Sequence, residues 1–91
     1  MSTPVNTKSS TNVVGGFAGT TSAGVSAAIF TTASNQFAVI SYVSGNINIG
    51  GGGGAGITSL TGGTVYVPPN TPVSNNQPST SVIVYALFQN T

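Results

Sequence analysis

Apolar positions in this chain do not hold a helical spacing. They alternate with polar residues or bunch into short runs, and Gly, Pro, Asn and Ser separate those runs. Strict alternation marks a half-buried strand, whereas a short unbroken apolar run fits a strand covered on both faces. Read this way, "VSAAIFTT" (25–32) is a strand, "ASNQ" (33–36) a turn through Ser34 and Asn35, and "FAVISYVS" (37–44) a second strand. Plain alternation in that second strand sets Phe37, Val39 and Val43 on one face and Ala38, Ile40 and Tyr42 on the other. "GNINIG" (45–50) points Ile47 and Ile49 one way and Asn46 and Asn48 the other. "ITSL" (57–60) and "TVYV" (64–67) are short strands, and Pro68-Pro69 stops the latter. A turn-rich loop at 70–79 leads into "TSVIVYALF" (80–88), which is apolar on both faces and so belongs in mid-sheet or under a subunit.

The first 25 residues lack such a pattern. Residues 1 to about 14 read as an extended arm, and "GGFAGTTSAGV" (15–25) as a glycine-rich loop. Helix is poorly supported throughout, because Gly, Ser, Thr, Asn and Val dominate. The expected fold is all-β: a small antiparallel β-sandwich or jelly roll of about six strands, residues 26–91, behind an N-terminal arm and loop, residues 1–25.

Composition narrows what such a fold could do. The 91 residues contain one Lys and no Arg, Asp, Glu, His or Cys, for a formal charge of +1. Disulfides and ordinary metal-ligand sets are therefore excluded. A single lysine cannot supply the phosphate contacts of a nucleic-acid binder. Ser, Thr, Asn and Gln make up about two-fifths of the chain, so solubility rests on neutral hydrogen-bonding groups. A core this thin commonly needs a partner, and near-zero charge leaves copies free to associate.

The glycine run Gly50–Gly54 invites a phosphate-binding reading and fails it. No lysine follows it, and the chain has no acidic residue to complete a dinucleotide site. Catalysis by paired carboxylates or by an activated serine is excluded by the missing side chains. Lys8 sits in a polar arm, where a solvated ammonium is its ordinary state. No enzymatic activity and no cofactor are expected. The glycine run is either a mobile hairpin tip or a place where backbones of several copies pack, with Gly52 at its centre. No apolar leader opens the chain, and "VIVYALF" is too short for a membrane-spanning helix. A multi-copy β-barrel pore is the weakest alternative, because no full set of lipid-facing strands with aromatic girdles is visible.

What remains is contact through neutral surfaces. Tyr42, Tyr66 and Tyr85, with Asn70 and Asn75, are candidate receptor or assembly contacts, since tyrosine offers apolar area and a polar tip. Each tyrosine has the plainer alternative of a core or interface residue.

"AIFTTASNQFAVISYVSG", then "GGTVYVPPNTPVS", then the closing "VYALFQN" resemble small β-structured modules of tailed-bacteriophage fibres and related virion appendages, over about residues 26–90. The resemblance implies a structural virion protein: a tail-fibre, tail-tip or capsid-decoration subunit made in the host cytoplasm. It also implies homotrimeric assembly, contacts with other virion proteins, and in some cases binding of a host-surface glycan or protein. A receptor-binding tip that recognises glycan through neutral loops at 50–56 and 70–79 is the competing expectation.

Overall fold

The computed structural model describes residues 11–51 and 55–90. It is all-β, with strands β1 (Thr11–Thr20), β2 (Ala28–Thr31), β3 (Gln36–Ile49), β4 (Ala55–Leu60), β5 (Val65–Val67), β6 (Pro72–Asn75) and β7 (Val82–Asn90). Every pairing is antiparallel. The expected fold class holds, with seven strands in one curled sheet instead of about six. Residues 1–10 and Gly52, the proposed arm and the centre of the glycine run, lie outside the described residues.

β3 is the spine. Ala38 pairs with Leu87 on one edge and Val67 on the other, and Ile47 pairs with Asn75 and Ile57. One edge of β3 therefore carries β7 followed by β6, and the opposite edge carries β5 followed by β4. β1 adds outside β7 and β2 outside β6. The result is four rows, three of them interrupted: one by residues 61–64 beside Ser41–Tyr42, and two by residues 21–27 and 76–81 at the level of Gly45–Asn46.

β3 crosses that level unbroken, with a register shift between Val43 and Asn46 and with Gly45 at φ 121°. Only glycine takes that backbone without strain. Space demands it too, since a Cβ on Gly45 would lie 2.5 Å from Ser81 Oγ. The sheet folds across this crease. Its ends are tied where Thr32 Oγ1 donates to Pro68 O (2.7 Å) and accepts from Thr71 N (2.9 Å), joining the β2–β3 turn to the β5–β6 turn.

Inside the curl lie Ala38, Ile40, Val43, Ile47, Val67, Val73 and Ile83, each at most 1% exposed. Each of the larger aliphatic side chains contributes roughly 1.5–3 kcal/mol when fully buried. Two sequence expectations are corrected here. In β3, register slips between Ile40 and Tyr42, so Ser41 is an extra residue that reverses the alternation. Ala38 and Ile40 face inward, but so does Val43, while Phe37 and Val39 share the outer face with Tyr42. The second correction is the segment 11–20, read from sequence as the end of an arm and the start of a loop. It is strand β1, paired with β7 from Thr11↔Asn90 to Thr20↔Val82. Its glycines hide the alternation and permit the pairing: a Cβ on Gly16 would come within 2.7 Å of Tyr85 O.

Candidate functional site

Because directly paired residues share a face, the register defines the outer surface of the sheet. Val13 pairs with Phe88, Phe88 with Phe37, Val39 with both Ala86 and Tyr66, and Tyr42 with Val84. These residues form one outward apolar face across all four rows. Phe37 is stacked on Phe88 at 5.0 Å and tilted against Tyr66 at 5.5 Å. Val13 (65% exposed), Tyr66 (59%) and Tyr42 (39%) are open to solvent. No charged side chain lies among the described residues, so the face has neither a charged rim nor a charged centre.

The inner face is unfinished near β1. Phe17 pairs with Tyr85, ring centroids 6.4 Å apart, and Tyr85 is stacked on Phe30 at 3.9 Å. Burial against these rings raises the Tyr85 pKa above its ordinary value near 10. Beside them a half-open cavity of about 180 Å³ is lined by Phe17, Ile29, Ala28, Tyr85 and the segment Thr20–Ser22. Phe17 remains 44% exposed.

The sequence-predicted contacts therefore separate. Tyr42 and Tyr66 meet the outer face, and Tyr85 lies on the inner face at the cavity. Asn70 is exposed in the β5–β6 turn at φ 55°, its N–H donating to Ala33 O (3.3 Å). Asn75 is fully buried, out of reach of a receptor or a neighbour. Its amide nitrogen faces the carbonyls of Ser22 (3.0 Å), Gln77 (3.2 Å) and Ser79 (2.6 Å), and its oxygen accepts from Ser81 Oγ (2.7 Å). Two N–H groups serve three carbonyls there, so one hydrogen is shared. Ser81 N in turn donates to Thr21 Oγ1 (3.0 Å), and Asn46 N donates to Ser81 Oγ (3.2 Å). This buried knot spans three rows at the crease, and its work is structural.

Phe17, Phe37 and Phe88 complete the two surfaces and were not singled out in the sequence. The pairing of "FAVI" with "YALF" around alternate outward positions was the available signal for Phe37 and Phe88. Phe17 had none, surrounded as it is by glycine.

Comparison of the chain with protein-family models, curated proteins and solved structures finds no match. Among the described residues no helix is long and apolar enough to cross a membrane.

Proposed function

We propose that this chain is a non-enzymatic structural module that works by assembling with copies of itself, and that its assembly belongs to a tailed-bacteriophage particle. The observation that carries the assembly reading is the outward face of Phe37, Val39, Tyr66, Val84 and Phe88. Tyr66 is exposed and the other four are half-buried, and a continuous apolar face left partly open in this way marks an interaction surface. A partner that carries no charge of its own avoids the cost of desolvating charges there. The virion assignment rests on the resemblance of residues 26–90 to phage appendage modules, and it agrees with a neutral, cysteine-free, turn-rich chain.

Sedimentation equilibrium at micromolar concentration tests the assembly. The wild type is expected to sediment as an oligomer, and Tyr66→Lys to weaken association about tenfold or more, because a solvated ammonium must be stripped at the interface. A wild-type chain that stays monomeric at that concentration removes the reading.

One observation favours a second reading, recognition of a neutral host glycan. The Tyr66 ring is the most open aromatic of the sheet and is held against Phe37, as a sugar-stacking platform would be. Glycan-array binding that disappears in Tyr66→Ala, with the oligomer intact, supports that role. Silence of the wild type on the array removes it.

A further inference from the structure

The sheet has two free edges, and they are built differently. The β4–β5 edge is cut into strands of six and three residues by the segment 61–64, and Pro68-Pro69 ends it. Short pieces and proline are how natural sheets discourage strand addition. The β1 edge carries no such protection beyond one bulge between Val13 and Gly15. It is ten residues long, contains no proline and no charge, and among the described residues pairs only with β7.

Apolar side chains are open along this strand on both faces of the sheet. Val13 is 65% exposed on the outer face and Phe17 44% on the inner face, with Val14 at 47% in the bulge between them. The cavity between Phe17, Ile29 and Tyr85 is lined by this same strand and its neighbouring segment, and its roughly 180 Å³ has room for an aromatic ring or a branched aliphatic side chain. Backbone, side chains and cavity are thus all unfinished along one line.

We infer that β1 pairs antiparallel with β1 of a second copy, joining two sheets into one and bringing apolar side chains of the partner copy to the Phe17–Tyr85 cavity. The inference rests on the assembly reading above and adds to the outer face a second contact, at the sheet edge. The occupant is a second copy for two reasons. An antiparallel pair of identical strands is self-complementary about a twofold axis, so the same backbone groups serve both sides. A strand with no charge also meets no repulsion from its own duplicate and offers nothing for a charged partner to read. The axis passes near Gly15 and Gly16 at the middle of β1. The outer faces of the two copies then run together into one larger face. This geometry closes at two, so any larger assembly contains an even number of chains.

Three measurements on the full chain test this. The wild-type mass by sedimentation equilibrium should be that of a dimer or an even multiple. Those amides of Gly15–Thr20 that point away from β7 should gain at least tenfold protection from hydrogen exchange between submicromolar and high micromolar concentration. Gly15→Cys has room for its side chain, the nearest atom being Leu87 Cδ2 at 4.0 Å, and should form one disulfide-linked dimer on mild oxidation of an otherwise cysteine-free protein. Phe17→Lys and Val14→Pro should each halve the mass, with a cooperative thermal melt showing that the fold survives. If either fails to fold, the exchange and cross-linking results decide. A trimeric mass overturns the pairing. So does an oligomer whose β1 exchange is independent of concentration, or one that Tyr66→Lys dissociates while Phe17→Lys leaves it whole; in those cases the assembly reading survives and this contact falls. A monomeric wild type removes both.

Discussion

Ser81 and Asn75 hold the crease of the sheet, and they do so with neutral groups only. The Ser81 hydroxyl lies between Asn75 Oδ1 (2.7 Å) and Asn46 O (3.2 Å), so its one proton is directed mainly at the nearer oxygen. Replacing Asn75 by Ala leaves the Ser81 hydroxyl only its longer contact to Asn46 O and takes the amide donor from the Gln77 and Ser79 carbonyls, a loss of roughly 1–3 kcal/mol that urea denaturation should register. Asn75→Asp is more informative, because it puts a carboxyl among the carbonyl oxygens of Ser22, Gln77 and Ser79. Burial and those dipoles raise its folded pKa above the unfolded value of about 3.9, so this variant should be most stable in acid and lose stability as pH rises above about 4. Wild-type protein titrated in parallel is the control. At the alkaline end the natural chain has its own example. Burial raises the Tyr85 pKa, so the folded state keeps its proton longer than the unfolded state does. Stability should therefore fall as pH climbs beyond about 10, and melts of Tyr85→Phe over that range should lack this component.

At the scale of the elements, Ser41 decides which half of the apolar residues becomes core. If Ser41 took an ordinary place in the alternation instead of bulging, β3 beyond Ile40 would turn over, presenting Val43 and Ile47 to solvent and Ser44 and Asn46 to the interior. Two buried aliphatics contribute roughly 3–6 kcal/mol, against a typical total stability of about 5–15 kcal/mol. Deleting Ser41 removes the bulge but keeps Tyr42 outward and Val43 and Ile47 inward, so cooperative unfolding by circular dichroism should survive, and Ser41→Ala should change stability little. The bulge also marks the limit of what the row of letters reveals. Alternation in "NINI" placed Ile47 inward, and the two-sided apolar character of "VIVYALF" placed β7 in mid-sheet, because both signals are local. A bulge leaves no local mark, so the inward set of β3 beyond Ile40 could not be read. β1 was hidden for a related reason: on its inner face Gly15 and Gly19 flank Phe17, and glycine is invisible to a hydrophobic period. Asn75 looked like a loop contact because its buried role depends on Ser22 and Ser81, which reach it only through the curl. Among the candidate contacts, the three tyrosines could not be sorted into exposed and buried from the sequence, and the face that Tyr42 and Tyr66 share with Phe37 and Phe88 needed the register.

For the molecule as a whole, the missing ionisable groups make an unusual physical claim. Between about pH 4 and 9 only Lys8 and the chain ends could titrate, so the melting temperature should vary by no more than a few degrees across that window. Association between copies should likewise be nearly unchanged from about 0.05 to 0.5 M sodium chloride, since no exposed charge pair is present for salt to screen. Sulfate is expected to strengthen association, because it acts on apolar burial instead. Sedimentation in the two salts distinguishes an apolar interface from one held by the few terminal charges.

The strand order has a bearing on how the chain is made. β7 lies between β1 and β3, yet it leaves the ribosome after both of them. Until it arrives, β1 has no neighbour in its own sheet and one flank of β3 stands bare through Gln36–Ser44. The nascent chain must keep both apart through the synthesis of some thirty further residues, long enough for another polypeptide on the same messenger to offer a substitute strand. A neutral sequence has no repulsion to prevent this. Copies that meet before β7 has paired present each other with the same two open flanks that their own β7 would fill.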